Sequence, residues 1–229
     1  MSEKVISVGM AIESNIAMSI KASIRVNLAV QHMLAAASFS REVGQLEAKH
    51  AGQPFGDFWE SILHNSMACV LTCVASLEAY ANELFSDRTT VFSGYSHDLL
   101  HKLWETYEQK PILEKFEFAL LLLKRPQFSR GAKPYQDIKV LVELRNALTH
   151  FKPEWSEEAD EHKAISAKLE GKIIGSTFLN DALLFPRRWA SHSCTSWAVF
   201  SAIAFAQAFE ALGSLPPKYA LANEAALTP

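Results

Sequence analysis

Residues 59–84, WESILHNSMACVLTCVASLEAYANEL, contain the clearest helical pattern in the chain. Small and apolar side chains recur there in steps of four and three, at Trp59, Leu63, Ser66, Val70, Cys73, Leu77, Ala81 and Leu84. Such steps place side chains on one face of an α-helix, where they pack against neighbouring elements. The stretch therefore predicts a long helix that is buried along one side, in a fold built from packed helices.

Further helical patterns lie on both sides of this stretch. Isoleucine or leucine recurs every fourth residue over Ile12–Leu28, which predicts an amphipathic first helix from about residue 10 to residue 38. The glycines and proline of residues 44–56 predict a loop after it. The Ala- and Ser-rich residues 189–212 predict a final helix that other helices can approach closely.

Two shorter helices are predicted between the long ones. Ser96 is a typical N-cap for a helix that runs to Tyr107. Pro111 suits the first turn of a helix that continues to Leu123.

No clear strand pattern competes with these helices, so the predicted fold class is all-α. The simplest arrangement is a bundle of four to five main helices with short additional helices. A chain of 229 residues can bury one sizeable core, which predicts a single domain over residues 1–229. We expect a charged surface excursion with one short helix at about residues 152–188, and a loose tail from about residue 214.

The composition limits the classes of partner. The net charge of −3 argues against general electrostatic binding of nucleic acid, although it allows a local basic patch. Charged residues interrupt the N-terminal apolar segment, and residues 197–212 are shorter than the roughly 20 residues of a membrane span, so no membrane association is expected. Three cysteines without a disulfide pattern suit a reducing cytoplasm.

Residues 145–150, Arg-Asn-Ala-Leu-Thr-His, place a cation, an amide and an imidazole near the end of a predicted helix. This helix is expected to begin at Pro134 or Tyr135 and to bury Leu141, Leu144, Leu148 and Phe151. A guanidinium binds phosphate oxygens in a planar geometry, and an imidazole exchanges a proton near neutral pH without a metal. The six residues therefore suit phosphodiester chemistry.

The same residues resemble the motif of the HEPN superfamily, in which Arg, a polar residue, three further residues and His lie on a late helix. Here the matching residues are Arg145, Asn146 and His150, and the sequence around residues 76–80 and 151–153 is similar in character. The resemblance implies a helical bundle, frequent dimerisation and metal-independent RNA cleavage by the Arg and His of active members. It also implies that a member can be a catalytically silent binding module.

Helical geometry separates the two ends of the motif. At 100° per residue, His150 lies about 140° around the helix from Arg145, so one straight helix cannot easily direct both side chains at one phosphate. Either the helix frays near Pro153 and turns His150 inward, or a second copy of the chain completes the site. Asn146 and His150 are four residues apart and share a face, so Asn146 can orient the imidazole or contact substrate.

The leading hypothesis is a metal-independent endoribonuclease that needs no cofactor and acts as a homodimer. The RNA 2′-hydroxyl is the nucleophile, His150 transfers a proton, and Arg145 stabilises the charge on the transition state. A toxin or defence effector restrained by an antitoxin partner is the expected biological setting. The alternatives are a non-catalytic HEPN-like module that binds a nucleotide or a protein, and a helical interaction protein in which Arg145 covers the bundle edge and His150 caps the last carbonyls.

A basic segment precedes the motif helix. The candidate RNA-binding residues are Lys124, Arg125, Arg130, Lys133 and, after the motif, Lys152. Phe128 and Tyr135 are interleaved with them and are of a type that stacks on unpaired bases. A solvated surface loop is the alternative interpretation.

Two weaker patterns have a structural interpretation. His97 and His101 are four residues apart, but no third ligand accompanies them, so no metal site is predicted. Cys69 and Cys73 fall on or beside the apolar face of the long helix and are expected to be core thiols.

Overall fold

The computed structural model describes residues 25–155, 159–221 and 224–229 of the chain, and it confirms the all-α class. Helices account for all regular structure in these ranges. They are α1 Ala29–His50, α2 Phe58–Ser86, α3 Arg88–Val91, α4 His97–Tyr107, α5 Ile112–Leu122, α6 Tyr135–Thr149, α7 Asp160–Leu169, α8 His192–Gly213 and α9 Glu224–Leu227. A π-helical turn at Leu184–Arg188 and a 3₁₀ turn at Lys218–Leu221 complete the described elements.

The centre of the fold is formed by α1, α2 and α8, which pack against one another, and α6 packs on α2 and α8. The α2 helix supplies the largest share of the core, as its three-and-four pattern predicts, with residues such as Val70, Cys73 and Leu77 fully buried. Cys69 and Cys73 are both buried free thiols, as expected. The interior that they share with the other helices is one continuous hydrophobic cluster.

The predicted short helices α4 and α5 are also confirmed. Ser96 caps α4, because its Oγ accepts a hydrogen bond from the Leu99 N–H at 3.4 Å. Pro111 directly precedes α5, where a residue without an N–H leaves no helical donor unpaired.

The first helix differs from the prediction. Residues 25–28 are not helical, and α1 extends from Ala29 to His50, while residues 10–24 lie outside the described part of the chain. The start of α1 is fixed by the Glu83 carboxylate of α2, which accepts from the main-chain N–H groups of Leu28 at 2.7 Å and Ala29 at 2.9 Å.

The predicted break at Gly44 is also wrong, because Gly44 lies inside α1. A Cβ atom at this position would lie 3.0 Å from the imidazole of His192. The glycine therefore allows α8 to pack closely on α1 and does not act as a loop residue.

Residues 152–188 contain the expected short helix but are not a surface excursion. The α7 helix packs on α6 and buries His162, Ser166 and Leu169. Farther along, Phe185 is also buried. Many charged residues of this segment, such as Glu161, Lys163 and Glu170, are exposed, while its buried residues pack toward the bundle.

The residues after 214 are not a loose tail in the described ranges. Tyr219 is buried, and its hydroxyl lies 2.9 Å from Ser76 Oγ on α2. The main-chain N–H of Lys218 donates to the buried Glu210 carboxylate at 2.7 Å. A buried carboxylate requires hydrogen-bond donors, and the segment after α8 supplies one of them to Glu210.

The two longest apolar helices, α2 and α8, satisfy the length and hydropathy of a membrane span, but about half of each apolar window is buried inside the bundle. Their apolar character is explained by their central positions in the core.

Candidate functional site

The α6 helix determines which way the motif side chains point. Ile138, Leu141 and Leu144 are fully buried, so this face of α6 is turned into the bundle. Asn146 and His150 lie on the opposite side and are exposed. The regular helix ends at Thr149, and His150 leaves helical geometry with φ −113° and ψ 41°.

This helix end also changes the expected position of Phe151. The three-and-four pattern predicts burial of Phe151, but its side chain is 48 % exposed. Because the backbone turns away at His150, the helical pattern no longer applies to the next residue.

Asn146 and His150 line a groove of about 340 Å³ between the end of α6 and α7. The side chains around it are Glu143, Asn146, Ala147, His150, Phe151, Lys152, Glu161, His162, Ala164, Ile165, Lys168 and Phe185. This volume is at the lower end of sites that hold small ligands, roughly 300–1,000 Å³. Two of the three motif residues are thus brought together with Lys152, a predicted RNA contact.

The two lysines of the groove are already paired with carboxylates. Lys152 Nζ lies 2.9 Å from Glu161 Oε1, and Lys168 Nζ lies 2.9 Å from Glu143 Oε2. The bond to Glu161 raises the pKa of Lys152 above its ordinary value. The charges of these two lysines and two glutamates cancel. The side chains of Asn146 and His150, which also line the groove, form no hydrogen bond or ion pair with residues in the described ranges.

The wall of the groove after His150 is held in place by Glu154. Its carboxylate accepts from the N–H groups of Glu161 at 3.2 Å and His162 at 3.0 Å. An anion in this position satisfies free donors in the first turn of α7 and interacts favourably with the helix dipole. Residues 151–155 are thereby fixed to the start of α7.

His162 adds a second attachment between the same elements. Its Nε2 lies 3.0 Å from the Lys152 carbonyl oxygen, and its Nδ1 lies 3.6 Å from Glu154. The ring is buried and stacks on Phe151. Both nitrogens face protein groups, so His162 has a positioning role in this arrangement and His150 is the imidazole that is open to a ligand.

Arg145 does not line the groove. Its side chain is half-buried, and its Nε atom is buried without a hydrogen-bond partner among the residues described. The separation of Arg145 from His150 follows the helical geometry predicted from the sequence. The inward turn of His150, which was one of the two predicted solutions, is not present, because His150 points into the groove with Asn146.

The basic segment lies at the other end of α6. Lys124, Arg125, Arg130 and Lys133 precede the helix, and a helix of this length separates its ends by about 21 Å. Arg130 forms a two-pronged ion pair with Glu117 at 2.7 Å, and Lys133 lies 3.4 Å from Asp137.

The aromatic residues of the basic segment are not available for stacking on bases. Phe128 and Tyr135 are both buried, and Phe128 stacks on Phe205 of α8 with ring centroids 4.8 Å apart. The segment contributes exposed cations such as Arg125, but it does not combine them with exposed aromatic rings.

The α2 residues that contribute to the HEPN resemblance have structural contacts. Glu78 forms an ion pair with the buried Lys115 at 2.9 Å, and Ser76 Oγ donates to the Ala29 carbonyl oxygen. Tyr80 donates to Glu210 at 3.0 Å, and burial raises the pKa of its hydroxyl. None of the three lines the groove beside the motif.

The predicted site residues did not include Glu143 of α6 or the residues of α7 that line the groove. Glu143 precedes Asn146 by three residues and His150 by seven, which is a helical-face signal that the sequence contains. Glu161, His162 and Lys168 have no such signal, because their position depends on the packing of α7 against α6. Within the described ranges no group of three or more His, Cys, Asp or Glu residues is arranged to bind a metal ion.

No protein-family model matches the chain, and no curated protein or solved structure is significantly similar to it.

Proposed function

We propose that this protein is a HEPN-type, metal-independent endoribonuclease that acts as a homodimer in the cytoplasm. The observation that carries the proposal is the shared position of Asn146 and His150 in one open groove, where neither side chain bonds to a described residue. An imidazole without a carboxylate partner, beside a free amide, is suited to exchange a proton with a bound substrate.

The divergence of Arg145 and His150 supports a site shared by two chains. The guanidinium lies outside the groove of its own chain, and its Nε has no hydrogen-bond partner in the described ranges. In a symmetric dimer, each residue of an interface is repeated on the partner, so Arg145 of one protomer can approach the His150 groove of the other. Each dimer then has two equivalent sites.

The proposed reaction needs only the groups of the RNA and the protein. The 2′-oxygen forms a bond to phosphorus, and the bond from phosphorus to the 5′-oxygen breaks. One proton leaves the 2′-hydroxyl and one is delivered to the 5′-oxygen, and His150 performs at least one of these transfers. Arg145 stabilises the negative charge of the transition state. The products are a 2′,3′-cyclic phosphate and a 5′-hydroxyl.

Cleavage of RNA in excess EDTA tests the proposal. We expect the purified protein to cut RNA, and a 2′-deoxy substitution at the scissile nucleotide to prevent the cut. If diverse RNAs stay intact and expression of the protein does not slow cell growth, the enzymatic function is wrong. A growth effect that a second protein suppresses would agree with a toxin and its antitoxin.

The second candidate is a non-catalytic HEPN-like module that binds a nucleotide or a protein. The pairing of Lys152 with Glu161 and of Lys168 with Glu143 favours it, because a groove without net charge attracts phosphate weakly. Such a module binds its ligand equally well when His150 is replaced by alanine, and it cuts no RNA.

A further inference from the structure

The charges of the groove limit how it can bind a nucleic acid. Lys152 and Lys168 each have a carboxylate partner at 2.9 Å, and the whole chain has a net charge of −3. Binding through phosphate contacts requires cations that release counterions, and these two cations are already neutralised. A ligand of this groove must gain much of its affinity from other contacts.

Phe151 offers a contact of another kind. It lines the groove directly after His150, and nearly half of its side chain is exposed. Its ring is stacked on the buried ring of His162, with centroids 5.5 Å apart and an angle of 19° between the planes. Phe185 supports it from a second direction, with ring centroids 6.0 Å apart.

The support beneath Phe151 is itself fixed. His162 Nε2 lies 3.0 Å from the Lys152 carbonyl oxygen, and the Glu154 carboxylate accepts from the His162 N–H at 3.0 Å. A flat aromatic surface is therefore held next to His150 before any ligand binds. Little conformational entropy is lost when a ligand stacks on a surface that is already ordered.

We propose that Phe151 is a stacking subsite for the base beside the scissile phosphate. This inference rests on the proposed ribonuclease function and assigns a specificity-determining residue to it. A base can stack on a protein ring only with a face that is not stacked on an adjacent base of the RNA. The nucleotide bound here must therefore be unstacked on one side. The groove volume of about 340 Å³ suits a single nucleotide.

Trp155 provides a matched control. It is 82 % exposed and lies four residues after Phe151, but it does not line the groove. If an exposed aromatic ring contributed only nonspecific contacts with RNA, replacing either Phe151 or Trp155 by alanine would weaken binding.

The test is a double-mutant cycle between the protein and the RNA. The full chain and its Phe151→Ala, Phe151→Tyr and Trp155→Ala variants are titrated with a labelled RNA that carries a 2′-deoxy group at the scissile nucleotide. A second RNA has an abasic nucleotide beside the scissile phosphate. Fluorescence anisotropy gives the Kd of each pair.

We expect Phe151→Ala to weaken binding of the complete RNA by about five- to 150-fold, the range for loss of one stacked base. The same variant has no further effect on the abasic RNA, while Phe151→Tyr and Trp155→Ala bind like the wild type. Equal weakening of both RNAs by Phe151→Ala, or no weakening, overturns the subsite. Because Phe151→Tyr keeps an aromatic ring, normal binding by this variant shows that position 151 can be substituted without loss of the fold, so the weaker binding of Phe151→Ala is due to lost stacking.

The two proposals fail in different ways. If the cycle shows coupling but all-ribose RNA is never cut, the subsite stands and the nuclease function is wrong. If RNA is cut without coupling between Phe151 and the base, the nuclease function stands and the subsite is wrong. If no RNA binds, both are wrong.

Discussion

The main-chain N–H of His150 donates to the carbonyl oxygen of Asn146 at 2.9 Å, although the regular part of α6 ends one residue earlier. The backbone of His150 is therefore still attached to the helix, and its side chain lines the same groove as that of Asn146. A site residue held by a helix is positioned more accurately than one on a free loop.

Replacement of His150 by alanine is expected to abolish most RNA cleavage without unfolding the protein. General acid–base catalysis contributes about 10²- to 10⁴-fold, so we expect kcat to fall by that range. Because the side chain is exposed, the unfolding midpoint in urea should stay near that of the wild type. His101→Ala is the control, since His101 is an exposed histidine outside the groove. Undiminished cleavage by His150→Ala contradicts the assignment.

Complementation between two inactive variants tests the shared site. If the protein forms the proposed dimer, each mixed dimer of Arg145→Ala and His150→Ala chains has one site with both residues intact. About half of the dimers are mixed at equal concentrations, so co-expressed variants should recover about one quarter of wild-type activity. Activity of the mixture that stays at the level of the separate variants contradicts a site shared between protomers.

The sequence predicted the helices whose pattern is set by local burial. The buried faces of α2 and α6 can be recognised in the sequence because the apolar residues that form the pattern, such as Leu77 and Leu141, lie in the core. The start of α1 was not predictable in this way. The four-residue pattern continues through Ile24, but the helix begins where the distant Glu83 carboxylate binds the N–H groups of Leu28 and Ala29.

In the candidate site, too, some features follow from a local helical pattern and others depend on contacts between distant residues. The common face of Asn146 and His150, and the divergence of Arg145, follow from the period of one helix. The position of the opposite wall of the groove does not follow from the period of one helix. It depends on contacts between residues that are distant in sequence, such as Glu143 of α6 and Lys168 of α7. A charged segment with few apolar residues gives no sign that it packs inward.

The basic segment before α6 is expected to contribute little to the chemical step. Arg125 and its neighbours precede the first residue of α6, and the length of this helix separates that end from its last turn, beside the groove, by about 21 Å. Arg125→Gln should leave kcat unchanged and raise KM only at low salt, since surface charges are screened over about 10 Å at 0.1 M salt. Lys152→Gln, in the groove, should affect kcat more than Arg125→Gln does. Steady-state cleavage kinetics at two salt concentrations give kcat and KM for each variant, and an equal loss of kcat in both variants contradicts these expectations.

Glu154 is expected to stabilise the protein through α7. Glu154→Ala removes the acceptor of two N–H groups in the first turn of this helix. Loss of a helix cap costs about 0.5–2 kcal/mol, and urea unfolding should show a decrease of the free energy of unfolding in this range. Glu154→Gln keeps one acceptor oxygen and should lose less. Glu170→Ala, at the exposed end of α7, is the control for removal of a carboxylate. Unchanged stability of Glu154→Ala contradicts a capping role.

Glu210 is expected to make the stability of the protein depend on pH. Its buried carboxylate accepts from Tyr80 Oη at 3.0 Å and from the Lys218 N–H at 2.7 Å. Burial raises the pKa of Glu210, while these two bonds and the charge of Lys218 act in the opposite direction. A carboxyl group whose pKa is higher in the folded than in the unfolded state binds protons more tightly when folded. Its contribution to stability is therefore complete below the unfolded pKa and is lost as the pH rises through the folded pKa.

Glu210→Gln removes this titration and keeps an oxygen that can accept both hydrogen bonds. We expect the free energy of unfolding of the variant, relative to the wild type, to increase as the pH rises from the ordinary glutamate pKa, about 4.3, through the raised one. Above that pH the difference should be constant. Urea unfolding at a series of pH values measures it, with Glu108→Gln as the exposed control. If the difference stays the same at every pH, Glu210 does not have a raised pKa in the folded protein.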